Sequence, residues 1–197
     1  MMMRTMRLLE AAAGLAAVLV AVAPVTSQDR PSYELPAIEV SVLQNALHQT
    51  AISLYELPSY WKLAGDLHKQ AADALPRNDA EQFFGFNRAA VLYFHAGEFV
   101  DARRSMEDAA QVAVATGDMY VAANTYVDAA FIAIAEGYAG KKREFVSEAR
   151  GLADSDWVTP EERAEILARI EGAPAGPASA RVALAVRLGS PMTLAAD

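Results

Sequence analysis

Three histidines, His48, His68 and His95, are the residues of this sequence best suited to chemistry. A neutral imidazole can move a proton near pH 7 or hold a transition metal. Helical zinc sites of the H-E-x-x-H kind need two histidines four residues apart with an acid between them. No two of these histidines have that spacing, and no glutamate stands at a useful offset. Each is therefore read as a packed or surface side chain. The alternative is that two histidines and an acid meet across helices, as a metal-binding, small-molecule-binding or enzymatic centre. The chain has no cysteine, which excludes a thiol nucleophile, a thiolate metal site, a disulfide framework and a lipidated cysteine. It also lacks G-x-S-x-G, a Walker A sequence and G-x-G-x-x-G. The expectation is a protein that is not an enzyme, with no cofactor, no metal and no catalytic residue.

Charge and composition exclude further classes. The 197 residues include 25 acidic and 17 basic ones, a net charge of −8. Affinity for phosphate backbones comes from neutralising cations, so nucleic acid is not expected as a partner. A hydrophobic fraction of 53% is too high for a disordered chain, and the length suits one domain. Lys141, Lys142 and Arg143 form the sole basic run. It opens a predicted helix, where the macrodipole disfavours cations by roughly 0.3–1 kcal/mol each. It is read as a solvated corner, with an acidic partner or lipid head groups as the alternative. The plentiful carboxylates are read as solvated helix surface, because a glycosidase pair must face one cleft.

Residues 1–27 have the pattern of a secretory signal peptide. Arg4 and Arg7 are followed by an apolar run from Ala11 to Ala23. That run is shorter than the roughly 17–25 residues a spanning helix needs. Cleavage after Ser27 is expected, since cleavage after Ala23 would leave Pro24 beside the cut. Residues 28–35 are expected as a linker. Loss of 1–27 removes two arginines and one glutamate, which takes the net charge from −8 to −9. The chain is expected to be exported to a periplasmic or extracellular (secreted) location, with no stable membrane span after cleavage. No N-x-S/T sequon is present.

Residues 36–171 carry apolar patterns at helical spacing, with little strand-type alternation. Alanine, the best helix former, supplies 42 residues. Breaks have recognisable chemistry. Pro36 can open the first helix, Pro58 interrupts it, and Pro76 stops the second. Asn78 with Glu81 reads as a capping box that starts the third helix near Asp79. Gly97 and Gly117 end the third and fourth helices, Asp118 can cap the fifth, and Gly137 and Gly140 break the next connection. Thr159, Pro160 and Glu162 form a strong start signal for a helix ending near Gly172.

The same pattern recurs along the chain. Shifted by 40 residues, Phe86 meets Tyr126, Ala89 meets Ala129, Gly97 meets Gly137 and Ala109 meets Ala149. Shifted back by 38, Ala89 meets Ala51, Tyr93 meets Tyr55, Phe99 meets Trp61 and Ala102 meets Ala64. Small residues let two helices approach, aromatics fill the remaining gaps, and a single pair cannot bury its own apolar face. Phe86, Ala89, Ala90, Tyr93, Gly97, Phe99, Ala102, Met106 and Ala109 give a spacing that resembles the tetratricopeptide (TPR) superfamily, in divergent form, over residues 41–154. Lys142, Ala133, Ser59 and His48 depart from it, and the units are longer than usual. The resemblance implies an all-α, TPR-like stack of about three antiparallel helix pairs plus a C-terminal capping helix. It also implies a protein-interaction scaffold with a concave face lined by the first helix of each pair, and it does not imply catalysis; the expected role is non-catalytic.

That face is where function is expected. The first helices of the second and third pairs are apolar nearly all round, and soluble monomers seldom leave such a surface open. Phe84, Val91, Phe94 and Phe131 would line a groove, with Asn87, Arg88, His95, Asn124 and Asp128 fixing the register of a bound chain. The cover is expected to be helix 160–171 or the tail folding back, the first pair closing over, a homo-oligomer, or a partner protein or peptide. Residues 172–197 form an Ala/Gly/Pro-rich tail in which Arg181–Leu188 is an apolar stretch with basic ends. A terminal helix, a groove-filling segment and a disordered end are the alternatives there.

Overall fold

The computed structural model describes residues 37–191. The expected signal peptide, its two candidate cleavage sites, the linker 28–35 and the helix start at Pro36 lie outside the described residues, as do 192–197. The fold is all-α, with no strand among the described residues. Among the described residues eight α-helices follow in order: α1 (Ala37–Ser53), α2 (Trp61–Asp73), α3 (Ala80–Ala96), α4 (Phe99–Thr116), α5 (Met119–Glu136), α6 (Ala139–Ala153), α7 (Pro160–Glu171) and α8 (Pro177–Leu188). A 3-10 turn at Pro58–Tyr60 separates α1 from α2. The described residues from Val40 onward form one packing unit.

Local chemistry sets the ends. Gly97, Gly117 and Gly137 stop α3, α4 and α5 in the left-handed conformation, at φ of 82°, 87° and 86°. Side chains with a Cβ adopt that conformation at a cost, which makes glycine the usual stop. Asp118 accepts the Val121 N–H at 3.0 Å and opens α5. Thr159 and Glu162 form a reciprocal capping box at α7. The start of α3 differs in one detail from the sequence reading. Asp79, not Asn78, is the cap, and it accepts the Glu81 N–H at 2.9 Å. Asn78 instead takes a left-handed turn at φ 65°, and its N–H donates to Gln82 Oε1.

Each of α2 to α6 packs on the next, and α5 also carries α7 and α8. The repeated alanines are at these contacts: Ala51, Ala64, Ala89, Ala102, Ala109, Ala129 and Ala149 are fully buried. Gly85 lets α3 approach α2 closely, since a Cβ there would lie 2.7 Å from the Ala72 methyl. The tail carries a helix, one of the alternatives expected for it. The helical body does not stop at Gly172. Residues 172–176 are a connection, and α8 returns to bury Ala180 and Leu184 in the central cluster with Tyr126, Phe131 and Ile134.

Candidate functional site

The expected groove residues fall in two places. The larger set lies where α3 and α5 meet α7 and α8. Phe94 and Phe131 are buried there in one cluster with Leu184, and Val91 is buried on α3 outside that cluster. The polar residues of that face bond the chain's own C-terminal helices. Asp128 Oδ1 accepts both Arg169 Nη2 of α7 and Arg187 Nε of α8, each at 2.7 Å. Asn124 accepts Arg169 through its side-chain oxygen. His95 Nε2 donates to the Gly189 carbonyl at 2.6 Å, just past α8. Arg181 of α8 stacks over the Phe99 ring, 4.6 Å from its centre, and donates to the Ala135 carbonyl.

One buried carboxylate thus closes two helices onto α5. Asp128 is 7% exposed, and burial pushes Arg169 below the usual arginine range while Asp128 opposes that shift. The sequence does not single out Arg169 and Arg187 as partners of Asp128. The basic end of the Arg181–Leu188 stretch is a signal for Arg187 alone, and only tertiary structure says which acid it meets.

The second place is a cleft between α1, α2 and α3, and the sequence reading did not assemble it. Here His48 and His68 come together, with their Nδ1 atoms 3.1 Å apart. Arg88 Nη1 lies 2.8 Å from His48 Nε2, and Tyr55 Oη lies 2.5 Å from His68 Nε2. Arginine can only donate, and that orders the whole chain. His48 Nε2 must accept from Arg88, so its proton is on Nδ1. His48 Nδ1–H then donates to His68 Nδ1, and His68 Nε2–H donates to the Tyr55 oxygen. A second proton on either ring would point at another N–H.

Electrostatics agree with this assignment. Burial, then the charges of His48 and Arg88, pushes His68 down to about 3. Burial and Arg88 lower His48 as well, and burial raises Tyr55 to about 12. His68 is fully buried, and Tyr55, in the turn directly after α1, lies within its reach. Two imidazoles beside a guanidinium make a poor metal centre, because the nearest charge is positive and a third donor is needed. No group of three or more His, Asp or Glu that could hold a metal occurs among the described residues.

The chain matches no family model, no curated protein and no solved structure.

The remaining expected residues divide between the two places. Arg88 belongs to the cleft, Asn87 is half-buried, and Phe84 stays 59% exposed on the cleft wall. The basic run at the start of α6 is partly engaged, since Lys141 donates to Glu144 at 2.7 Å and to Glu107 at 3.3 Å. No helix among the described residues is long and apolar enough to cross a membrane.

Proposed function

We propose that this is an exported, non-catalytic scaffold of the TPR-like kind, which holds a helical segment of a partner protein on the α3–α5 face. The supporting observation is α8 itself. A short helix with small apolar residues and a basic end is seated there by Phe131, by His95 and by the Asp128 carboxylate. A partner helix of the same chemistry would use the same contacts. The apolar stripe of α8 repeats at i, i+4 (Ala180, Leu184), the spacing of helix-in-groove recognition.

In this reading α8 is a resident competitor. A tethered segment acts at an effective concentration on the order of millimolar, so the partner must bind the bare face far more tightly than that. The test uses a labelled peptide of residues 176–191 and a chain carrying Leu184→Asp, whose own α8 is undocked. Saturable binding that the wild-type chain does not show is the expected result. Failure of the peptide to bind a folded variant contradicts the proposal.

A further inference from the structure

We propose that the cleft between α1, α2 and α3 binds a small organic monocarboxylate, with Arg88 taking the carboxylate and Phe84 and Leu75 walling its apolar body. The inference goes beyond the scaffold reading and stands on a different part of the molecule.

Arg88 is the starting point. It is half-buried and makes no ion pair among the described residues. Arg103, Lys141 and Arg169, by contrast, each lie against a carboxylate at 2.7 Å. One Arg88 N–H is committed to His48, which holds the guanidinium in place. The other N–H groups have no protein acceptor among the described residues. A fixed guanidinium with free N–H groups fits a carboxylate through two parallel hydrogen bonds.

The surroundings narrow the ligand. The cleft measures about 420 Å³ and is lined in part by Gln44, Asn45, Ala72, Leu75, Phe84 and Arg88. Ligand sites of roughly 300–1,000 Å³ with mostly apolar walls and few polar groups are usual. Phe84 offers an exposed ring, and Asn45 and Gln44 offer neutral amides at the mouth. The histidine chain cannot supply a competing anion, since both rings are neutral and both their nitrogens are engaged. Glu81 lines the far end, two helical turns from Arg88 on the same face of α3 and about 10 Å along its axis. Its negative charge, accepting from Gln44 at 3.3 Å, disfavours a second anionic group there. One carboxylate and an apolar body therefore suit the cleft better than a dicarboxylate or a phosphate.

The test is calorimetric titration of the chain with benzoate and 4-phenylbutyrate, with benzamide, phthalate and inorganic phosphate as comparisons. The expected result is saturable one-to-one binding of at least one monocarboxylate. Arg88→Gln should weaken it at least tenfold, while the amide, the dicarboxylate and phosphate bind more weakly still. Should Arg88→Gln fail to fold, Phe84→Ser serves, because that side chain is largely exposed and its loss should weaken binding by several-fold. Absence of saturable binding by both monocarboxylates overturns the proposal. So does undiminished affinity in a folded Arg88→Gln or Phe84→Ser chain, and so does phosphate binding as tightly as benzoate. None of these outcomes depends on whether α8 can be displaced.

Discussion

Arg88 of α3 and Asp128 of α5 stand at the same place in the repeated pattern, 40 residues apart, yet their surroundings are opposite. Asp128 is nearly buried, and two arginines from α7 and α8 converge on one of its oxygens. Among the described residues Arg88 meets only an imidazole, that of His48, and it faces an open cleft. The local helices are of one kind at both positions. The difference comes from what the rest of the chain supplies. After α5 the sequence provides two more helices with arginines to match the acid, whereas nothing described before α2 brings an acid to Arg88. One row of packed helices thus acquires a closed face and an open one through a complementary segment at one end.

The comparison can be broken in graded steps. The largest effect is expected from Leu184→Asp. A lone carboxylate in a fully buried apolar site costs more than the roughly 3–5 kcal/mol of breaking a buried ion pair, so α8 should leave α5. Strong binding of a hydrophobic dye and concentration-dependent association by sedimentation would register the bared face. An unchanged monomer without dye binding would show that α8 does not cover it.

Next comes Asp128→Ala, which leaves Arg169 partly buried without its acid. A loss of about 3 kcal/mol in urea unfolding is expected. Arg187→Ala should cost only about 0.5–1 kcal/mol, because that side chain is 44% exposed and its ion pair is screened. Equal losses from the two would contradict the account of Asp128 as the shared centre.

The histidine chain predicts a pH effect of intermediate size. His68 has its folded pKa lowered from 6.5 to about 3, so its neutral form contributes stability above pH 6.5. That contribution drains away as the pH falls from 6.5 toward 3, because the unfolded chain takes up the proton first. The urea midpoint should fall between pH 7.5 and pH 5, and His68→Gln should fall less over the same interval. A variant with the same slope as wild type would remove His68 from the explanation.

The smallest effect is expected on the outer side of α8. Val186 is 82% exposed and Val182 67%, so Val186→Ser should change stability by no more than about 0.5 kcal/mol. A larger loss would mean that this surface is covered in solution.

Much of this architecture is legible in the sequence, and the reason is local. Alanine-rich helical spacing, the stops at Gly97, Gly117 and Gly137, and the Thr159–Glu162 box are decided by neighbours in the chain. Phe94, Phe131 and Asp128 could be picked as one face because they follow helical periodicity. What was not legible needed contacts between distant residues. The tail helix and its partner Asp128 are one case, since Arg187 could have met any surface acid. The meeting of His48 with His68 is the other. It depends on how closely α1 approaches α2, and the absence of an i, i+4 histidine pair carries no information about that. The shift of the cap from Asn78 to Asp79 turned on one residue of turn geometry, which either side chain could have served.

The central claim is that α8 of this chain is docked on the α3–α5 face, and hydrogen–deuterium exchange of the α8 amides tests it most directly. An undocked helix of twelve residues is marginal in water, so its amides are slowed only by packing. The account predicts that the amides of Ala183 to Leu188 exchange far more slowly than an unstructured chain and lose that protection in Leu184→Asp. Exchange of α8 at the unstructured rate in the wild-type chain, with α5 still protected, would contradict it.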